Sequence, residues 1–415
     1  MRRRCLLVLC GLVIGSLGIP ARGDAQSPPR GATPRLPILH SGSAPSPSRC
    51  AWPFIVDAAD LNLAYPDPNA TYWAQPFVLG SNESLLLRGS YPSSRFMAVT
   101  LYTDTGDTVQ QLSDFAIEPD PGSANPFAVA DPPPGTRRRW QMRVIAASSS
   151  PGGGNVLMAN PGQQAGWLVY RVYLGNPAGS LQGSQPLPTI VRMRGLDATQ
   201  TLAPCRTFLP GTAIADALSG ALPSPVEVTG APQFVRIAND SGLFANTANA
   251  YLTAFSDAPS GQILVVRGKL PTSPDTGAGQ SVVGDFDLRY FSITSNLNQV
   301  PYPTVDGLYD YELPLDDTGY YTVVIARDGD VPSNATAAEN VAVLDWGDGP
   351  SQAVIVRNML PSSSFTMAVQ SVTPSDYGAP SDAAEVMGEF YPQIATCSTA
   401  TFEAAGAAGC SANSP

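Results

Sequence analysis

The chain has 415 residues with a formal charge of −11, is 43% hydrophobic but only 14% charged, and holds 38 Gly and 41 Pro. That length and apolar content suffice for a substantial core in two or three domains, and the acidic balance argues against binding phosphate backbones or anionic headgroups. Few charges with many turn formers favour short strands over long amphipathic helices.

The opening MRRRCLLVLCGLVIGSLGIPARGDAQ has Arg2 to Arg4, an apolar run from Cys5 to Ile19 and small residues at Gly23 and Ala25. This is the layout of a secretory signal peptide, residues 1–25, with cleavage expected after Ala25. No segment has the roughly 18 apolar residues of a convincing membrane span. Removing the leader takes away four arginines and one aspartate and leaves −14. Residues 26–49, rich in Pro and Ser, read as a disordered spacer.

A first β-sandwich domain is expected over 50–208 and a second over 209–398, followed by a loose tail, 399–415, unless Cys410 tethers it. The reason is repetition. LLLRGSYP matches VVRGKLP, aligning Arg88 with Arg267 and Gly89 with Gly268. SRFMAVT matches LRYFSIT, aligning Arg95 with Arg289 and Thr100 with Thr294, after an insertion of 15 residues around SPDTGAGQSVVGDFD. RRWQMRVIA at Arg138 matches GYYTVVIAR at Gly319, and WLVYRVYL matches AVIVRNML, aligning Arg171 with Arg357. Four blocks in the same order mark an internal duplication. Each has a period of two: Met97, Val99 and Leu101, like Phe291 and Ile293, lie on one side, and Phe96, Thr100 and Tyr102, like Tyr290 and Thr294, on the other. Turn signals such as DTGD, DDTG and PGGGN separate the strands. The fold expected is all-β: two tandem antiparallel β-sandwich or jelly-roll-like domains with little helix, the helical candidates being Thr212–Ser219, Ser363–Ser371 and Ser381–Met387.

RFMAVTLY and RYFSIT, followed by a strand of the form hydrophobic-Arg-x-x-Leu, resemble the bacterial secreted family known as domain of unknown function 1214. The resemblance implies a β-sandwich and an extracellular or envelope setting, and brings no reaction or catalytic residues.

Four cysteines remain beyond the leader, which in an oxidising compartment read as disulfides. Three pairings are open; Cys50 with Cys205 and Cys397 with Cys410 is the arrangement expected. The single histidine, His40, falls in the spacer, so neither a Ser-His-Asp relay nor a His-ligated metal site is available to the folded region. The one lysine, Lys269, sits at a strand end. Acid–base chemistry is left to carboxylates, for which Asp285 with Asp287, Asp310 with Glu312, Asp316 with Asp317 and Asp345 with Asp348 are candidates, although such residues more commonly shape turns. Calcium at Asp345 and Asp348 is the one cofactor option; neither it nor TDTGDT has a full calcium-loop pattern.

The repeated arginines Arg95, Arg289, Arg171 and Arg357 stand beside core faces, where a guanidinium needs a carboxylate or several carbonyls. They make either structural pairs or a cleft for an acidic or sugar ligand. Aromatic clusters, Tyr72 and Trp73 in one half and Tyr309 and Tyr311 in the other, are the materials of a sugar-stacking surface or of plugs at the sandwich ends. The functional expectation is a secreted, non-catalytic binding or structural protein with carbohydrate or another envelope protein as partner. Its rivals are a carboxylate-dependent glycan hydrolase and a surface-assembly module.

Overall fold

A computed structural model describes residues 49–59, 61–147, 153–209, 222–237 and 243–411. The leader, all of the spacer but its last residue, His40 and the helical candidate at 212–219 lie outside the described residues.

The first half contains β1 (Phe54–Val56), β2 (Ala70–Val78), β3 (Glu83–Ser90), β4 (Ser94–Tyr102), β5 (Thr108–Ser113), β6 (Arg139–Ile145), β7 (Asn155–Met158), β8 (Ala165–Gly175), β9 (Thr189–Arg194) and β10 (Asp197–Leu202). The second contains β11 (Val235–Ile237), β12 (Asn249–Ser256), β13 (Gln262–Lys269), β14 (Leu288–Leu297), β15 (Thr304–Tyr309), β16 (Tyr320–Ala326), β17 (Val341–Asp345), β18 (Gln352–Pro361) and β19 (Gln393–Ser398). Two helices, α1 (Ala383–Met387) and α2 (Thr399–Ser411), complete the described residues, apart from short 3-10 turns.

The sheet orders repeat. The first half has β1-β2-β8-β4-β5 facing β10-β9-β3-β6-β7, and the second has β11-β12-β18-β14-β15 facing β17-β16-β13-β19. Strands one to eight of one half therefore correspond in order to β11–β18 of the other, as a duplication requires. Pairing is antiparallel except at β6 with β7 and β16 with β17, a parallel edge pair in each half.

The period of two fills the sandwich. Met97, Val99 and Leu101 of β4 pack with Leu85, Leu87, Trp140 and Leu168 between the sheets, and Phe291 and Ile293 of β14 do the same with Val266, Tyr321 and Val323. The repeated Arg-Gly has a packing cause: Gly89 pairs across the ladder with Trp140, and Gly268 with Tyr321. A Cβ on Gly89 would lie 2.3 Å from the Trp140 ring, and on Gly268 2.7 Å from the Tyr321 hydroxyl. The aromatic side chain lies in the space the missing methyl leaves.

The other face of these strands is not solvated, contrary to an ordinary inside-outside alternation. All nine residues of β4 are buried, and Ala70, Phe96, Ala98 and Tyr173 of the first half form a single cluster with Ala248, Tyr290 and Met359 of the second. The central sheets of the two halves are thus covered on both sides, one side by the partner sheet and the other by the other half.

Each half also lends the other a loop. The backbone N–H groups of Ala64 and Tyr65 donate to Pro301 and Tyr302, and Asn62 Nδ2 donates to the carbonyl of Thr304 while its Oδ1 accepts from the Thr304 N–H. In the opposite direction Phe244 N–H donates to Gly106, and Tyr102 donates to the carbonyls of Phe244 and Ala245.

Both expected disulfides form, Cys50 with Cys205 and Cys397 with Cys410, at Cα separations of 5.1 and 5.3 Å. The expected loose tail is instead α2 as far as Ser411, tethered by Cys410. Alanine-rich sequence favours the helix, the Ser398 hydroxyl accepts the Thr401 N–H near its start, and Gly406 supplies a kink at φ 61°. The helical candidate at Ser381–Met387 is realised as α1, and that at Ser363–Ser371 only as a 3-10 turn, Val369–Ser371.

Candidate functional site

The four repeated arginines separate into two kinds of site. Arg95 and Arg289 begin β4 and β14 and cross between the halves in mirrored fashion. Arg95 Nη1 donates to Asp310 at 2.9 Å, and Arg289 Nη1 to Asp114 at 3.3 Å. Each guanidinium also reaches the other arginine's backbone carbonyl, at 3.4 and 3.5 Å. The two aspartates open equivalent 3-10 turns after β5 and β15 and accept further backbone N–H groups, Met97 and Phe115 for Asp114, Phe291 and Tyr311 for Asp310. Reciprocal contacts of this kind are the signature of a two-fold arrangement. The inserted segment of the second half adds one asymmetry, since Thr276 accepts from Arg95 Nε at 3.1 Å and leaves Arg95 more deeply buried than Arg289.

Arg171 and Arg357 sit mid-strand on β8 and β18 and face a cavity of about 620 Å³. They share the side of Val169 and Ile355, which also line it. Each guanidinium lies over an equivalent tyrosine, Arg171 over Tyr72 at 5.6 Å and Arg357 over Tyr251 at 5.7 Å. Each donates to a carbonyl lent by the other half, Arg357 to Tyr65 at 2.7 Å and Arg171 to Phe244 at 3.4 Å. Tyr65 and Phe244 both adopt left-handed φ, 57° and 52°, which turns these loops over the cavity.

The electrostatic surroundings of the two differ. Asp67 lies 3.8 Å from Arg357 Nε and accepts from the hydroxyls of Tyr290 and Ser292. Loop residues 65, 67 and 72 correspond to 244, 246 and 251, so the counterpart of Asp67 is Asn246. Both hold their loops alike: Asp67 Oδ1 accepts the Asn69 N–H, and Asn246 Oδ1 the Ala248 N–H. The amide carries no charge, and its Nδ2 donates to Tyr173. Arg171 is only 1% exposed; its Nη2 donates to Tyr102 and Phe244, while its Nε and Nη1 have no hydrogen-bond partner among the described residues. The phenols around it do not neutralise it, because burial raises Tyr72 well above its ordinary pKa, raises Tyr102, and pushes Tyr251 up to about 12.

The remaining lining is mainly apolar, with Leu61, Leu63, Trp167, Leu243, Phe244 and Phe255 prominent. Thr105, Asp107 and Ser224 are exposed at its edge; the Asp107 carboxylate accepts from the Thr103 and Thr105 hydroxyls. Among the described residues, the buried charges lining the cavity are Arg171, Arg357 and Asp67.

Of the other aromatics expected to bind, Trp73 is fully buried between the sheets, pointing away from Tyr72. Tyr309 packs against the inter-half cluster, and Tyr311 covers Arg95 and donates to the carbonyl of Ser273. Several of the acidic candidates have structural partners. Asp310 pairs with Arg95; Asp287 caps Thr272; Asp345 Oδ1 accepts the Gly347 N–H. Asp316 bonds Thr318 and Arg267, and these partners hold its carboxyl well below its ordinary range. Among the described residues, no three His, Cys, Asp or Glu cluster as metal ligands would. Asp67, Asn246 and Tyr251 escaped the sequence reading, although AYPDPNATY and FANTANAY form a further repeated block upstream of the others.

No family model matches the chain, and no curated protein does either. Among solved structures, an uncharacterized protein from Burkholderia cenocepacia aligns with a TM-score of 0.50 at 12% identity, over 84% of this chain and 82% of that one, a likeness of fold. A protein from Vibrio parahaemolyticus aligns with a TM-score of 0.40 at 11% identity, over 79% of this chain and 89% of that one.

Proposed function

We propose that this is an exported, non-catalytic binding protein that holds a largely apolar small molecule in the cavity between its halves. The cavity carries the reading: its volume of about 620 Å³ lies within the range of small-molecule sites, and aliphatic and aromatic walls with a few convergent polar groups are the usual composition of such sites. Carbohydrate, the ligand class expected from the aromatic clusters, is less well served, since a sugar needs many hydrogen-bonding partners along its length and this lining offers few. Two disulfides support function outside the reducing cytoplasm, as does the leader-like N-terminal sequence. Among the described residues no helix is long and apolar enough to cross a membrane.

The test uses the neutral fluorophore N-phenyl-1-naphthylamine, whose emission rises in apolar surroundings. Saturable binding at one site per chain is expected, and Thr253→Phe, which enlarges a side chain lining the cavity, should abolish it. Absence of saturable binding, or binding indifferent to that substitution, would refute the reading.

A further inference from the structure

The Arg171 side of the cavity repeats the frame of the Arg357 ion pair with no carboxylate beside its guanidinium among the described residues. Its counterpart shows the complete arrangement: a guanidinium on a tyrosine face, a carbonyl lent from the other half, and a carboxylate, Asp67, on the same loop two residues beyond that carbonyl. Around Arg171 the tyrosine, the carbonyl and the loop recur, but the loop presents Asn246. An arginine buried to this degree, with two nitrogens unbonded, bears a desolvation cost that neutral phenols offset only in part. Asp67 answers to Arg357, Tyr290 and Ser292, and Asp107 is exposed and bonded within its own turn, so among the described residues the lining supplies Arg171 with no carboxylate of its own.

We infer that the ligand of this cavity carries one carboxylate, which pairs with Arg171 as Asp67 pairs with Arg357, while its apolar body lies against the leucine and aromatic walls. The ligand class is an amphipathic monocarboxylate. A guanidinium binds a carboxylate through charge-assisted hydrogen bonds, and Nε and Nη1 each have a donor to offer one. A cationic ligand would place its charge against Arg171 and Arg357 and is disfavoured.

This rests on the reading of the cavity as a binding site, and the experiment separates the two. Decanoate, decanamide and decylammonium, which share a chain and differ in head group, compete for the bound naphthylamine in the full chain. Decanoate should displace it at least about tenfold more effectively than decanamide, about 1.4 kcal/mol, and decylammonium least. Two variants locate the carboxylate. Arg171→Met removes the cation, and Asn246→Asp supplies an internal anion in the place of Asp67; each should erase the preference for decanoate over decanamide. Should Arg171→Met fail to fold, Asn246→Asp still decides, because it adds the partner that its counterpart loop already holds. Equal displacement by decanoate and decanamide would overturn the inference and leave the cavity reading standing, as would a decanoate preference that survives in a folded variant. Failure of the naphthylamine to bind would remove the cavity reading and this inference with it.

Discussion

Arg171 and Arg357 occupy equivalent strands, lie over equivalent tyrosines and donate to equivalent carbonyls, yet Arg357 has Asp67 beside it and Arg171 has Asn246 opposite. Two nearly identical frames therefore carry different net charge. The arginine stands in both copies, and the carboxylate at the corresponding loop position in one. Arg95 and Arg289 make the contrast sharper, because there both copies keep their aspartates and both pairs close.

The largest expected effect comes from making the two sides alike. Asp67→Asn leaves Arg357 buried without its anion and turns one of the two oxygens that accept from Tyr290 and Ser292 into an amide donor; breaking a buried ion pair by removing one partner costs about 3–5 kcal/mol. Denaturant unfolding monitored by tryptophan fluorescence should show this loss, and an unchanged midpoint would mean that Asp67 does not support Arg357.

An intermediate effect should separate the two repeated glycines. Gly89→Ala drives a methyl into the rigid Trp140 ring, whereas Gly268→Ala meets the far end of Tyr321. Overpacking costs about 1–3 kcal/mol, with Gly89→Ala at the upper end and Gly268→Ala at the lower in a comparison of melting temperatures. The reverse order would show that the two aromatic side chains do not play the same part.

The smallest effect concerns a surface pair in the second half. Asp316 has its carboxyl lowered from the ordinary 3.8 by the Thr318 hydroxyl first and then by Arg267 and backbone N–H groups. A carboxylate lowered in the folded state contributes stability that is complete above the unfolded value and is lost as pH falls through the folded one. Asp316→Asn should accordingly flatten the decline in stability below about pH 4 and cost less than about 1 kcal/mol at neutral pH, since solvent screens the pair. A steeper decline in acid would contradict this.

Much of the architecture is legible in the sequence because strands announce themselves by alternation, and because a charged residue inside an apolar strand, such as Arg171 in WLVYRVYL, stands out. The burial of both strand faces was not legible: Phe96 and Tyr290 look like the outer face of a sandwich until the other half lies against them. Asp67 and Asn246 lie in loops whose shape depends on Pro, Asn and left-handed residues rather than on a period, so their equivalence emerges only once β2 and β12 fix the frame. The α2 helix was obscured by its glycines and becomes stable in context through Ser398 and the disulfide at Cys410.

The reciprocal contacts between the halves are those of a homodimer written into one polypeptide. Two separate, identical subunits would have to carry the same residue at positions 67 and 246, and any change there would strike both sites at once. Covalent fusion lifts that restriction, so that one copy can hold a carboxylate as a permanent brace while its twin carries an amide at the same place, and the two arginines can be tuned apart.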